Sequence, residues 1–301
     1  MPFVFPWLNQ EGKGSENVGL ISWGSCDEKI PLILYTLLLS TDIALNFYRN
    51  YPFPPSYSSA VLEEITDFIQ HIEGRAIVFD LRIQDWPDFQ NLRQSRELGH
   101  TLQDVCSHRH INSSVILSSG SQQLGSLIGF PFEILETREV LEGKGPPDLV
   151  KFALEIGSDF LLLTKKTQHK MEAHILLKEK IVSGEASSLA NGIWGTSSPY
   201  LDARTKKQVS SPTQGYLHHW NPKVLLTIKN KFSTSFSGSG FSLLKKHGDK
   251  IKKGDPIAEA FLLEDHKPYK ADDDFIRAYN ISAEPPDFRP FILERLEMKF
   301  F

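Results

Sequence analysis

Three histidines lie near one another in the sequence, and histidine is a residue type that commonly binds metals. His100, His108 and His110 lie within one predicted helix and its end. Residues that share a helix face are three or four positions apart, so His108 and His110 cannot both reach one ion from a helix. The pattern favours a solvated helix end, where the helix dipole stabilises an imidazolium. The two cysteines, Cys26 and Cys106, form neither a metal-ligand cluster nor a disulfide framework, and we interpret them as small buried residues.

Other residue types that can do chemistry also have simpler interpretations. Asp272–Asp274 lack the alternating ligands and the glycine of a calcium loop, which favours a solvated loop. Gly12–Ser15 and Gly238–Gly240 are too short to be phosphate loops and are interpreted as flexible turns. His218–Trp220 is typical of a turn or a strand edge. We therefore predict no cofactor and no metal.

Composition limits the class of protein. The 301 residues are 40% apolar and 23% charged, enough for one large domain or two ordinary ones. The net charge of -4 argues against a nucleic-acid partner, because phosphate backbones require a cationic surplus. Ile30–Leu39 is too short to cross a bilayer and predicts a buried helix, and no basic stretch precedes the apolar Met1–Trp7. We expect a cytoplasmic protein without a membrane partner.

Local patterns predict the elements that position these residues. Residues 1–24 are interpreted as an irregular leader, and Ser25–Glu28 fits a helix start. The helix that follows is predicted to continue until the prolines of Tyr51–Pro55, and apolar residues at helical spacing predict a second helix over 60–72. The next predicted elements are a strand, a helix and a strand, and they are Arg75–Ile83, Asp88–Cys106 and Ser113–Ser118. A strand, helix and strand at this spacing form a βαβ unit, hence a parallel sheet with helices.

The second half changes character. Residues 132–184 predict consecutive helices broken at Gly143–Pro147, with Asp148 as a helix cap. Short β segments predict a smaller α+β domain towards the end of the chain. The predicted divisions are a leader (1–24), an α/β domain with a helical segment (25–190), a linker (191–215) and the α+β domain (216–301).

Several motifs occur in an order that resembles the thymidine or pyrimidine-nucleoside phosphorylase family. Each is weak alone, but together they are fairly specific, and the resemblance runs from roughly residue 25 to the end of the chain, with a weak fit before residue 75. In order, they are Gln123–Gly129, Glu133–Glu142 and Gly145–Leu149; Leu154–Leu163 with Ser183–Glu185; Lys246–Ile257; and Tyr279–Pro286 with Pro290–Glu294. They are similar to the family's Q-P-L-G turn, V-R-E-A-I-E-type helix, G-P-x-D-L segment, C-terminal K-V-G-D-x-V-x-x-G-E-P-L segment and tail.

The resemblance implies a fold, a reaction and partners. The implied fold is an α/β domain with helices followed by a smaller α+β C-terminal domain. The implied reaction is phosphorolysis, in which phosphate attacks the anomeric carbon of a nucleoside and releases the base and pentose 1-phosphate. Cationic and N–H groups must hold the phosphate and neutralise the leaving base. The resemblance also implies a nucleoside or phosphate ligand and a homodimer.

The residues that would do this chemistry depart from the family pattern. The family's phosphate loop has no counterpart, which indicates a divergent, N-terminally shortened member. Where the family has Arg, Ser and Lys for the base, this chain has Ile21, Thr36 and Ser40. Arg82 stands where the family has a lysine after the next strand. Thr36, Ser40 and Arg82 are thus the weak candidates for a catalytic site, and lost or weakened catalysis is the first hypothesis.

Two alternatives stay open. One is an active pentosyltransferase that uses non-standard residues such as Arg82 or Arg75. The other is a non-catalytic binding or interaction protein. A cationic pocket between Pro31 and the segment Asp80–Asp85 would favour chemistry, and the absence of a pocket there would favour a purely structural module.

Overall fold

A computed structural model describes residues 16–23, 29–50, 75–83, 91–120, 122–195, 205–235, 239–262 and 275–301, with positions 63, 65–67 and 69 between them. The helices are α1 (Lys29–Leu39), α2 (Leu92–Ser107), α3 (Phe130–Leu141), α4 (Pro147–Leu163), α5 (Lys170–Val182), α6 (Glu185–Trp194) and α7 (Pro222–Ser235). The strands are β1 (Glu16–Trp23), β2 (Ile43–Asn50), β3 (Ala76–Ile83), β4 (Asn112–Ser119), β5 (Leu127–Ile128), β6 (Thr205–Ser210), β7 (Gly215–Trp220), β8 (Gly240–Leu243), β9 (Lys250–Ile251), β10 (Pro256–Leu262), β11 (Tyr279–Ser282) and β12 (Ile292–Arg295).

The first sheet has five strands in the order β12-β4-β3-β1-β2. The first four strands of the chain pair in parallel, and β12 joins β4 antiparallel. Every residue of β3 and β4 is buried, since α1 and α4 pack on one face of the sheet and α2 packs on the other. This pattern is typical of a parallel sheet covered on both sides. The predictions of an α/β fold and of the βαβ unit β3–α2–β4 are confirmed.

Two predictions about the first fifty residues are wrong. Residues 16–23 form β1, an inner strand of the sheet between β3 and β2, and are not an irregular leader; Val18, Leu20 and Ile21 are fully buried. The first helix ends at Leu39 rather than near Tyr51, because Asp42 adopts a left-handed backbone (φ 63°) that turns the chain into β2. The helix over 60–72 is confirmed at its described positions, where Ile65 and Ile69 are buried.

The later residues form two antiparallel sheets, β5-β8-β10-β6 and β11-β7-β9, around a core that includes Trp220, Phe232 and Phe241. The predicted linker over 191–215 is wrong at residues 205–210, because β6 pairs with β10. Helix α6 also continues to Trp194. Segments cross between the two halves, since β5 pairs with β8 and β12 returns to β4. Among the described helices, none is long and apolar enough to cross a membrane.

Candidate functional site

The strand order marks one edge of the first sheet as the place to look for a ligand site. From β1 the chain crosses to β2 on one side, whereas β3 lies on the other side of β1. In parallel sheets, ligands bind outside the carboxyl ends of the strands where the order reverses in this way. The carboxyl ends of β1 and β3 therefore define the candidate site.

A buried polar cluster occupies this edge. Asp80 on β3 is 1% exposed, and its carboxylate accepts hydrogen bonds from three side chains. Ser22 Oγ lies 3.3 Å from Oδ2, Ser118 Oγ lies 2.5 Å from Oδ1, and Arg82 Nε lies 3.2 Å from Oδ2. Two hydroxyl groups and a guanidinium can compensate a buried carboxylate. The cluster is thus stabilised and neutralised from within.

Arg82 also contacts helix α4. Its guanidinium carbon lies 5.5 Å from the centre of the Phe152 ring, within the range of a cation–π contact. Only 8% of Arg82 is exposed. Its positive charge is therefore shared between Asp80 and an aromatic face, and it links the sheet edge to the helix beside it.

The structure does not bring the three predicted candidates together. Thr36 is fully buried and donates to Leu32 O within α1, at 3.2 Å, and Ser40 Oγ donates to Leu37 O at 2.7 Å. Helix α1 runs from the carboxyl edge back to the amino edge, where β2 starts beside the start of β1. Ser40 hence lies at the opposite edge of the sheet from Arg82, and Thr36 lies one turn of α1 before Ser40.

Ile21 and Arg75 do not join Arg82 in a site either. Ile21 is a fully buried residue of β1. Arg75 precedes β3 whereas Arg82 lies near its end, so seven residues of strand, about 23 Å, separate the two. Arg75 and Arg82 cannot serve one small-molecule site.

Beside the sheet edge, the loop over residues 123–128 is held by two lysines, and we call this region the junction. Lys29 Nζ, at the start of α1, donates to Leu124 O (2.7 Å) and Leu127 O (3.0 Å) and pairs with Glu136 Oε2 (2.8 Å). The side chains of Lys29 and Glu136 are 0% and 1% exposed. The second Glu136 oxygen accepts from the backbone and the hydroxyl of Ser126, at 2.8 and 2.9 Å.

The second lysine, Lys246, reaches the same loop from the C-terminal half. Its Nζ donates to Gln123 O (2.9 Å) and Gly125 O and pairs with Asp148 Oδ2 at 3.1 Å. Burial lowers the pKa of Lys246 by more than the attraction of Asp148 raises it. Asp148 is not the predicted helix cap, because Pro146 occupies the cap position of α4. Its carboxylate instead accepts from Gly125 N at 3.2 Å.

The junction requires glycine at position 125. Gly125 has a φ of +60°, and a Cβ there would lie 2.2 Å from Glu136 Oε2. Any larger residue would push the carboxylate away from Lys29. A second buried pair extends the network, since Glu133 of α3 accepts from Lys229 of α7 at 2.8 Å.

A cleft lies next to both regions, between α4 and the segment Glu284–Phe291, which we call the strap. The volume of the cleft is about 520 Å³. The cleft is lined by Gln122, Pro147, Asp148, Lys151, Phe152, Glu155, Phe288, Arg289, Pro290, Phe291, Ile292 and Arg295. Because Phe152 carries Arg82 on its ring, the cleft adjoins the polar cluster at the sheet edge. It does not lie between Pro31 and Asp80, where a pocket would have favoured chemistry.

Comparison with known proteins gives a partial relationship. This chain is 33% identical over 111 residues to each of three curated pyrimidine-nucleoside phosphorylases. They come from Staphylococcus haemolyticus (strain JCSC1435) and Staphylococcus aureus (strains USA300 and NCTC 8325 / PS 47). The chain resembles pyrimidine-nucleoside phosphorylases. The aligned stretch covers 37% of this chain but only 26% of each relative, and no family model matches. The predicted family-level resemblance is confirmed.

Four of the motifs that predicted this resemblance meet at the junction rather than at the sheet edge. Gly125, Glu136, Asp148 and Lys246 each belong to a different motif, and the structure joins all four around one loop. Sequence reasoning missed Lys29 and Glu136. The sequence offered two signals for these residues. Lys29 stands at the start of an apolar helix, and Glu136 stands within a helix that is mostly buried.

The remaining sequence candidates do not form a site in the described residues. His108 Nδ1 lies 2.7 Å from Asp104 O at the end of α2, and His110 packs edge-on against Phe301. Across the described parts of the chain, no three His, Cys, Asp or Glu side chains are placed to hold a metal. Cys106 is buried, and burial raises its pKa to about 12. Cys26, Asp272–Asp274 and the segment over 12–15 lie outside the described residues.

Proposed function

We propose that this chain is a pyrimidine-nucleoside phosphorylase-like protein whose phosphorolysis is lost or much weakened. The observation that carries the proposal is the neutralised cluster at the sheet edge. Phosphorolysis requires positive or N–H-rich groups to hold phosphate and to stabilise the leaving base. In the described residues of this edge, the guanidinium of Arg82 is already bound to the carboxylate of Asp80.

The energetics support weak catalysis. Loss of one such stabilising group typically lowers a rate by a factor of roughly 100 to 1,000. Ile21, Thr36 and Ser40 supply no cation, and Thr36 and Ser40 bond to their own helix. The chain retains a cleft beside the cluster, which supports binding of a nucleoside or phosphate without efficient turnover.

The alternative is an active pentosyltransferase that uses Arg82, with phosphate as its co-substrate. The contact of Arg82 with the ring that lines the cleft favours this alternative over one based on Arg75. A non-catalytic interaction protein is the third candidate. We also propose, from the resemblance, a homodimer in the cytoplasm, which light scattering would detect as twice the 34.1 kDa of one chain.

The test is release of base from thymidine, uridine and AMP with phosphate at high protein concentration, followed by chromatography. The Staphylococcus haemolyticus relative is the positive control. We expect release at least about 100-fold slower than the control, as loss of even one stabilising group produces. Release near the control rate that disappears in Arg82→Met, but not in Arg75→Met, would establish the alternative.

A further inference from the structure

We propose that the cleft between α4 and the strap binds a small organic anion that carries a planar ring. The ring would lie against the aromatic side chains of the strap, and the anionic group would face the basic side chains at the mouth. This inference rests on the ligand binding that the proposed function assigns to the same cleft, but it requires no phosphorolysis and does not use Arg82 for chemistry.

The size and lining of the cleft fit such a ligand. Small-molecule sites commonly enclose about 300–1,000 Å³ and are mostly apolar with a few polar groups. The cleft has about 520 Å³, and a neighbouring cavity of about 420 Å³ shares Gln122, Pro147, Asp148 and Phe291 with it. A ligand with one or two rings fits this space.

The exposed aromatic surface of the cleft comes from the strap. Phe152 of α4 is only 2% exposed and contacts the Arg82 guanidinium, whereas Phe288 on the strap is 91% exposed. Phe291 of the strap also lines the cleft. Aromatic rings attract another ring when their centres are about 4.5–7 Å apart. A planar ligand would remove the exposed face of Phe288 from water.

The charges of the lining favour an anion. Three cations (Lys151, Arg289 and Arg295) and two carboxylates (Asp148 and Glu155) line the cleft, a balance of +1. Asp148 is paired with Lys246 at 3.1 Å, from outside this lining.

Glu155 is likewise already matched by cations. It is paired with Arg295 at 3.0 Å and with Lys170. Although burial alone would raise the pKa of Glu155, Lys170, His174 and Arg295 lower it, so the carboxylate is ionised at neutral pH. Lys151 and Arg289 are both exposed at the cleft and supply the positive charge that a ligand would meet.

The strap is held in place without a ligand. Ser119 N donates to Phe291 O (2.7 Å) and Gln122 Nε2 donates to Arg289 O (2.8 Å). His218 Nε2 and His247 Nε2 lie 2.8 and 3.3 Å from the carbonyl oxygens of Glu284 and Asp287. A preformed wall lowers the entropy lost on binding.

A matched pair of ligands tests the proposal by calorimetry on the full chain at low salt. Orotate is uracil with one added carboxylate, so the pair separates the ring from the charge; inorganic phosphate is the charge without the ring. We expect orotate to bind about tenfold more tightly than uracil, the gain of one charge-assisted contact, and more tightly than phosphate. Equal binding of orotate and uracil, or no binding of orotate at millimolar concentration, would overturn the proposal.

Variants place the binding in the cleft. Lys151→Met and Arg289→Gln should each weaken the binding of orotate by about three- to tenfold and leave the binding of uracil unchanged. Phe288→Ala should weaken the binding of both ligands. Lys165→Met, at the amino edge of the sheet, is the matched control and should change neither. All four positions are exposed, so folding should be retained, which circular dichroism checks. Orotate binding unaffected by both charge variants would refute the site, whatever the outcome of the phosphorolysis assay.

Discussion

The junction around Gly125 and the cluster around Asp80 are both buried, charged and hydrogen-bonded, yet they connect different parts of the fold. The junction connects Lys29, Glu136 and Lys246, which come from distant parts of the chain. The cluster connects neighbouring strands of one sheet. The residues of the junction lie mainly in the motifs that predicted the resemblance to the phosphorylases, whereas Asp80 and Arg82 lie where the sequence was predicted to depart from the family pattern. The difference teaches that motif residues can pack one region of the fold against another.

The strongest way to break this comparison is to remove the buried cation of the junction. Lys29→Met leaves the Glu136 carboxylate without its ion pair, and breaking a buried pair in this way typically costs about 3–5 kcal/mol. We expect that loss in the free energy of unfolding measured by urea denaturation. The control is the double variant Lys29→Met, Glu136→Leu, which should recover much of the stability. A loss below about 1 kcal/mol would show that the junction is not a main source of stability.

Removing the cation of the sheet edge should have a smaller effect. In Arg82→Met, the Asp80 carboxylate keeps its bonds from Ser22 and Ser118, so we expect a loss of about 1.5–3 kcal/mol, the value of a hydrogen bond to a charged group. Arg75→Met, at the other end of β3, is the control and should stay within about 0.5 kcal/mol of the natural protein. If Arg82→Met costs as much as Lys29→Met, the two regions do not differ in stability as we argue.

The smallest effect is expected at Glu155, whose ion pairs are partly open to solvent. Its pKa in the folded protein is lowered, despite the opposing effect of burial, by Lys170, His174 and Arg295. The stabilisation is therefore present above the ordinary pKa of 4.5 and is lost as the pH falls through the folded value. We expect Glu155→Gln to reduce the difference in unfolding free energy between pH 7 and pH 3 by up to about 1 kcal/mol.

Glu97→Gln removes an exposed carboxylate that is paired with Arg93 and serves as the control. It should leave the pH dependence almost unchanged, because an exposed pair contributes little. An equal change in the two variants would contradict a specific role for Glu155.

How far sequence patterns predicted the fold depended on how local each signal was. Strands β3 and β4 carry short apolar runs bounded by turn residues, and both strands and the helix between them were predicted. Strand β1 was missed because its buried, parallel-paired residues lie among the Gly, Ser and Asn that usually mark loops. The end of α1 was missed because Asp42 turns the chain without a glycine or a proline.

The amino-acid sequence by itself determined the α/β class, the βαβ unit, the β-rich second half and the resemblance to phosphorylases. Periodicity and motif order encode these features within a few residues of each other. Only the tertiary structure decided that Thr36 and Ser40 lie away from Arg82, that β12 returns to β4, and that Lys29 meets Glu136. These outcomes depend on contacts between residues far apart in the chain, and the burial that gives a charge its partner exists only once those segments pack together.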